Sequence, residues 1–357
     1  MTSVDTAGAG VAGSALAALV ASRLGEARAA ALLAGMDLHP DLLVAPGGGV
    51  PRAVIAQALG AVLLDELLDR VPSGAAYVAD RLSAGGTVFL DHGAVRTVAG
   101  VDCGALAPGQ DGLVPVLSAL GYAHRYTYEL TALRMTGRSW CHVDLAAAVP
   151  QYFVSELHAQ RFSEGFQEAA GRVLASSGDP VTEAAGTALA RLGADRSLPL
   201  DSAVALLPVL VACFARQHDD PAVADYEVLL AESAEMAWIA TEGTVFNHAT
   251  DRVADVTAVA EAERAAGRPI KDEVEVSGTG RILQTAHRAA VVERTLRADD
   301  GSSVRRQVPG SFFEFITRQE LPDGSGPDLA FDAANAQQIF AMTRSEGPGG
   351  ARPGPPA

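Results

Sequence analysis

A chain of 357 residues with 43 acidic and 27 basic side chains has a formal net charge of −16. It is long enough to bury a substantial core, and its surface repels nucleic-acid backbones and anionic lipid heads. Composition therefore leaves small-molecule chemistry as the open class.

The first glycines, Gly8, Gly10 and Gly13, satisfy GxGxxG, but no strand pattern precedes them, so they read as an arm running into a helix rather than a dinucleotide site. From Ser14 to Leu82 the texture is helical: Val54, Ile55, Ala58, Leu59, Val62 and Leu63 recur at i, i+3 and i+4, and Gly47-Gly48-Gly49 between Pro46 and Pro51 interrupts the run. The apolar stretch Val11 to Gly35 is broken by Arg23, Glu26 and Arg28. Neither a signal peptide nor a membrane span is expected there. This defines an N-terminal helical region over 1–84.

Thr87 to His92 is short, apolar and partly β-branched, the texture of a buried strand. With a helix over 112–120 and strands over 122–130, 138–146 and 150–158, it makes a βαβββ unit spanning 85–158. Residues 159–240 return to helix as an insertion. Its most apolar segment, Ala203 to Phe214, is a core helix too short to cross a bilayer. The pattern then recurs over 241–320 as a strand at 245–249, a helix at 256–266, and strands at 273–277, 281–287, 291–297 and 311–317, with one strand or hairpin near residue 291 in excess. Two such units predict an α+β fold in which paired half-barrels share a site. In the last segment, 321–357, the Gly- and Pro-rich tail Ser345 to Ala357 is expected to be disordered.

Lys271 is the only lysine, so Schiff-base chemistry would depend on that residue alone, and no GxxxxGK loop occurs. Cys103, Cys141 and Cys213 never form a CxxC pair, which argues against disulfides or thiolate zinc and for a reducing, cytoplasmic setting. Ionisable residues instead interrupt three apolar strands. Burying Glu314 between Phe313 and Phe315 costs several kcal/mol unless a partner or a cation compensates it. His92 and His248, 156 residues apart, occupy the first strand of each unit. Alternation puts Val88, Leu90 and His92 on one face, Phe246 and His248 on a second, and Phe312, Glu314 and Ile316 on a third. If the half-barrels close, two imidazoles and one carboxylate form a set suited to non-haem Fe(II), with open positions for a chelating substrate and dioxygen. The bare pattern leaves open that each histidine is an ordinary hydrogen-bonded core residue.

The stretches Phe89-Leu-Asp-His-Gly-Ala-Val-Arg96, Tyr152-Phe-Val-Ser-Glu-Leu157, Trp238-Ile-Ala-Thr-Glu-Gly243, Phe246-Asn-His-Ala-Thr-Asp-Arg252, Leu283-Gln-Thr-Ala286 and Phe312-Phe-Glu-Phe-Ile-Thr-Arg318 resemble the 2-oxoadipate dioxygenase/decarboxylase (hydroxyglutarate synthase) family. That family is similar in fold to the vicinal oxygen chelate superfamily. The resemblance implies that His92, His248 and Glu314 bind Fe(2+) and that Arg96 binds a substrate carboxylate, a task suited to its planar fork. It implies further that a 2-oxo acid, 2-oxoadipate above all, reacts with O2 to give 2-hydroxyglutarate and CO2. Arg252 and Gln284, and by the same reasoning Arg318 and Thr285, are candidates to orient that acid. Each arginine could equally neutralise a nearby carboxylate, and the threonine could be ordinary packing. Glu156 is expected as the counterpart of Glu314 in the first unit, with a structural ion pair its simpler role. His124, His142, His158 and His287 are expected to be structural, and Phe246, Phe313 and Phe315 to keep the site dry. No nucleic acid or membrane partner is expected. A related metalloenzyme acting on another 2-oxo acid, a glyoxalase-like isomerase and a non-enzymatic binding protein remain as alternatives.

Overall fold

The computed structural model describes residues 10–332. Gly8 and the Gly- and Pro-rich tail lie outside the described residues. The N-terminal region is helical and includes α1 (Ala15–Leu24), α2 (Glu26–Ala34), α3 (Arg52–Arg70) and α4 (Pro72–Ser83). Ser14 caps α1 by accepting the Ala17 N–H at 3.1 Å, and Pro72 starts α4 where no amide donor is needed. Apolar residues on every side of α3 let it sit between layers. No helix among the described residues is long and apolar enough to cross a membrane.

The first unit comprises β2 (Leu90–Ala99), α5 (Val114–Ala119), β3 (Tyr122–Leu130), β4 (Met135–His142) and β5 (Gln151–His158). The second comprises β7 (His248–Arg252), α11 (Val256–Ala265), β8 (Glu275–Val276), β9 (Ile282–Ala286) and β12 (Phe312–Arg318). All eight strands join one curled sheet in the order β3-β4-β5-β2-β7-β12-β9-β8. Each unit thus has its first strand beside its fourth, and the units meet antiparallel along β2 and β7 with Gly93 opposite Ala249. The excess element is a hairpin, β10 (Val291–Arg297) with β11 (Ser303–Pro309), which forms its own two-stranded sheet.

Five helices connect the units: α6 (Glu164–Leu174), α7 (Glu183–Asp195), α8 (Leu200–Ala212), α9 (Val223–Glu232) and α10 (Ala234–Glu242). They divide between the two faces of the sheet. Leu206, Leu207 and Leu210 of α8 join the N-terminal helices over the face bearing Val95, Tyr152, Val154, Phe313 and Phe315. Phe166, Leu229, Met236 and Trp238 cover Ala94, Val98, Phe153 and Leu157 on the other face. A short ladder, β1 (Val50–Pro51) with β6 (Ser197–Leu198), ties the helical segments together.

Several strand limits differ from expectation. β2 starts at Leu90 and runs seven residues past His92, where the expected strand ends, through Gly93 and Arg96. Gly93 is required where β2 crosses β7, because a Cβ there would strike the Phe246 ring and lie 2.7 Å from the His248 carbonyl. The fourth strand of the first unit matches expectation within a residue, whereas the third is shifted to Met135–His142 and the first strand of the second unit to His248–Arg252.

On the face covered by the N-terminal helices, Asp251 of β7 accepts the Tyr77 hydroxyl at 2.7 Å and the Phe89 N–H at 2.9 Å. Burial pushes its carboxyl up to about 6, although these donors and Arg81 oppose the shift. A folded-state pKa above the ordinary carboxylate value means that this group's stabilising contribution is complete below about pH 4 and is lost as the pH rises through 6. Asp251→Asn keeps an acceptor for Phe89 and a polar partner for Tyr77 without the buried charge. It is expected to unfold at higher denaturant than wild type at pH 7.5, by roughly 1–3 kcal/mol, and to lose that advantage at pH 4. Urea titrations at the two pH values measure the difference.

Candidate metal centre

Three strands at the middle of the sheet each supply one donor. The β2–β7 ladder slips at Asp91, with Leu90 opposite Asp251 but His92 opposite Thr250, a β-bulge that breaks the alternation expected from Val88 through Leu90 to His92. Leu90 joins the core packed by the N-terminal helices, whereas His92 lines a pocket on the other side. The bulge also lets Asp91 touch its neighbour, so that Asp91 Oδ1 lies 2.8 Å from His92 Nδ1. Burial alone would raise the Asp91 pKa, but Arg318 and then Arg252 hold this carboxylate well below its usual range. An ionised Asp91 can only accept, so His92 Nδ1–H donates to it, which turns Nε2 inward.

His92 Nε2 and His248 Nε2 lie 3.1 and 3.4 Å from Glu314 Oε2. The imidazole rings stand 5.5 Å apart at 89°, and the Phe312 ring stacks on His248 at 4.7 Å. All three side chains are buried, His248 being the most exposed at 4%. Thr250 Oγ1 donates its one proton to Glu314 Oε2 at 2.7 Å and sits 3.1 Å from His92 Nε2. With the His92 ring neutral and its proton on Nδ1, lone pairs of His92, Thr250 and Glu314 face one another and suit a cation; without one, a protonated His92 donates Nε2–H to Glu314. Burial would lower the His92 pKa, but Asp91 and Glu314 together push it up. Burial takes His248 down to about 3, against the opposing pull of Glu314, so its ring is neutral, and neither ring nitrogen has a hydrogen-bond partner among the described residues. Burial would raise Glu314, yet His92, His248 and Thr250 bring it below the usual carboxylate value.

These residues fit a metal ion. One ligand atom from each lies within 4.8 Å of the others. The two N···O separations match the edge of about 3 Å expected between neighbouring ligands on an ion with bonds of about 2.1 Å. No other cluster of three His, Cys, Asp or Glu side chains with this geometry occurs among the described residues. The pairing of units also corrects the place of Glu156. Register sets His248 opposite Phe312 and Thr250 beside Glu314 in the second unit, and His92 opposite Gln151 and Ala94 beside Phe153 in the first. The counterpart of Glu314 is therefore Phe153. Glu156 instead accepts the Gln110 N–H at 2.9 Å and pairs with Arg138 at 3.3 Å.

A pocket of about 450 Å³ opens beside the triad, lined by His92, Ala94, Arg96, Phe153, Gln284, Phe331 and Asp332 among others. A larger cavity of about 620 Å³, walled by Val98, Leu113, Cys213 and Ile239, holds no such cluster. Arg96 is 1% exposed. Its Nη1 lies 3.0 Å from Glu235 Oε2 and its guanidinium covers the Trp238 ring at 4.4 Å. Burial lowers the Arg96 pKa and Glu235 opposes the shift. Gln284 reaches the pocket while donating to Glu275 at 3.2 Å, and Glu275 also holds Lys271.

Arg252 and Thr285 do not line the pocket. Arg252 is bound to Asp91 and to the Ala147 carbonyl, and the Thr285 hydroxyl donates to the Glu273 carbonyl. Phe313 and Phe315 pack against Tyr77 on the opposite face, so Phe153 and Phe331 supply the dry wall instead. His124, His142, His158 and His287 each find a local hydrogen-bond partner. Asp91, Thr250, Glu235 and Phe331 escaped the sequence reading. Asp91 adjoins a ligand within a shared motif and could have been found, whereas Glu235 and Phe331 reach the site only through tertiary packing.

Residues 67–343 match the profile of a family described as 2-oxoadipate dioxygenase/decarboxylase. Among solved structures, a glyoxalase superfamily protein from Ralstonia eutropha JMP134 is 49% identical, with 89% of this chain and 98% of that one covered at a TM-score of 0.86. The hydroxyglutarate synthase of Oryza sativa, solved with 2-oxoadipate, is 20% identical over 85% of this chain and 96% of its own, with a TM-score of 0.64. That of Pseudomonas putida, also with 2-oxoadipate, is 20% identical over 83% and 74%, with a TM-score of 0.60. At such identity the two synthases show the fold. No curated protein sequence matches the chain.

The site is expected to take up one divalent ion per chain. His248→Ala and Glu314→Ala should each abolish stoichiometric uptake after dialysis, read by elemental analysis, while Glu156→Ala retains it. Ion addition should raise the melting temperature of wild type and of Glu156→Ala, and leave that of the two ligand variants unmoved.

Proposed function

Because the chain belongs to the 2-oxoadipate dioxygenase/decarboxylase family, we propose that it is a mononuclear Fe(II) enzyme that oxidatively decarboxylates and hydroxylates a 2-oxo acid, converting 2-oxoadipate and O2 to 2-hydroxyglutarate and CO2. The observation that carries this reading is the buried His92, His248 and Glu314 set beside a pocket lined by Arg96. When bound, Fe(II) supplies the chelating and redox chemistry that lets a 2-oxo acid react with dioxygen. The chain supplies placement. Arg96, braced by Glu235 and Trp238, holds the remote carboxylate, and Gln284, steadied by Glu275, helps to orient the acid from the lining of the same pocket. Asp91 keeps the His92 Nε2 lone pair turned inward. Phe153 and Phe331 exclude water, so that the methylene next to the keto carbon, which itself becomes the new carboxylate, is held where hydroxylation outruns release. Both oxygen atoms of O2 end in the products, one in the new carboxylate and one in the hydroxyl, and no separate reductant is consumed.

A second reading is favoured by the 49% identical relative being described as a glyoxalase superfamily protein: metal-assisted isomerisation at the same site, with no oxygen consumed. The deciding experiment is anaerobic reconstitution with Fe(II), addition of a panel of 2-oxo acids, and inspection for the visible charge-transfer band of a chelated keto acid, followed by oxygen uptake. Equimolar O2 consumption and CO2 release support oxidative decarboxylation, whereas turnover without oxygen uptake supports isomerisation. In the same assay Arg96→Lys should bind iron as wild type does, yet lose about tenfold or more in kcat/KM for 2-oxoadipate. Equal kinetics would remove Arg96 from substrate binding.

A further inference from the structure

One guanidinium links the first metal-binding histidine to the roof of the pocket. Arg318, on β12 four residues past Glu314, has a fully buried side chain. Its Nε and Nη2 donate to the two oxygens of Asp91 at 2.9–3.0 Å, and Asp91 in turn accepts the His92 Nδ1–H. Its Nη1 points the other way and donates to the carbonyls of Asp328 and Ala330 at 2.8 and 2.7 Å. Those carbonyls belong to a strap, residues 328–332, whose Phe331 ring stands edge-on to His92 at 4.8 Å and packs on Phe153 at 5.2 Å.

The strap is fastened to both half-barrels. The Phe331 N–H donates to Tyr128 Oη at 2.9 Å in the first unit, and in the second Arg281 holds Asp328 at 2.8 Å while the Gly278 N–H donates to Asp332 at 3.0 Å. Lifting the strap would strip the Arg318 Nη1 group of both its carbonyl acceptors and leave its N–H groups buried and unpaired. The guanidinium would then shift, and with it Asp91. Arg252, partly exposed and stacked on Phe89, touches Asp91 without touching the strap, so it cannot carry this linkage.

We infer that Arg318 is a positioning residue that ties closure of the 328–332 strap to the aim of His92, so that the site is dry and its first ligand correctly turned in one and the same state. Its consequence for turnover rests on the reaction proposed above, but the linkage itself is testable without turnover. Arg318→Lys retains the charge facing Asp91 but cannot serve both sets of acceptors. Tyr128→Phe removes only a remote fastening of the strap and touches neither Asp91 nor a metal ligand.

Co(II) binding to the metal-free full-length chain, followed by its visible spectrum, and hydrogen exchange of the 328–332 amides together make the test. For Arg318→Lys, faster exchange with a roughly 10- to 100-fold loss of Co(II) affinity is expected. For Tyr128→Phe, faster exchange with a smaller, two- to tenfold loss and a perturbed spectrum is expected. Faster exchange with unchanged affinity and spectrum in Tyr128→Phe would overturn the linkage, as would unchanged exchange in Arg318→Lys. If Arg318→Lys does not fold, Tyr128→Phe decides alone. Wild type that binds Co(II) but consumes no oxygen with any 2-oxo acid would defeat the proposed reaction and leave the linkage standing.

Discussion

The constraint on which the site depends is a carboxylate in a place that cannot tolerate one unaided. Glu314 is 1% exposed in a strand whose neighbours Phe313 and Phe315 are wholly buried. Thr250 donates to one of its oxygens, and two imidazole nitrogens converge on that same oxygen, where a protonated His92 or a bound cation can meet the charge. These groups arrive from β2, β7 and β12, adjacent strands of one sheet. The antiparallel seam between β2 and β7 is therefore not interchangeable with any other packing of the half-barrels. A shift of one residue would turn His92 or His248 away and leave the acid stranded.

The approximate twofold relation of the two units explains both the likeness and the difference of their contributions. His92 and His248 hold equivalent positions, but the place equivalent to Glu314 is Phe153. One half supplies a charged ligand, and the other supplies an apolar wall where its ligand would be. That asymmetry leaves the side of the centre toward Phe153 open, and the pocket containing Arg96 and Gln284 lies there. The helices between the units complete the arrangement by bringing Glu235 and Trp238 of α10 against Arg96. A cation that a strand alone could not keep buried is thereby made stable beneath the site.

Charge organisation around the centre follows the same logic at longer range. Although the chain as a whole is strongly acidic, arginines are concentrated behind the ligands, with Arg318 and Arg252 both turned to Asp91. They keep Asp91 ionised in a dry interior, and an ionised Asp91 sets the tautomer of His92. Arg318 performs this task and also holds the strap that closes the pocket. Arg252 differs from it in touching solvent and only one side of the network.

Strand composition and the recurrence of βαβββ texture by themselves determined the α+β class, the two units and the rank of His92, His248 and Glu314 as residues in need of explanation. This was possible because alternation, β-branching and an acid between two phenylalanines are local signals. Strand limits were less legible: the strand expected to end at His92 continues through Gly93 and Arg96, which the crossing of β7 and the presence of Glu235 explain. The bulge at Asp91, the equivalence of Phe153 with Glu314, the turning of Arg252 away from the pocket and the arrival of Phe331 over His92 were decided only in the folded chain. Each depends on register or on a contact between residues far apart in sequence, and neither is encoded in the neighbours of the residue concerned. Residue types announce that a buried charge must be met, but only the packing of distant strands determines which group meets it.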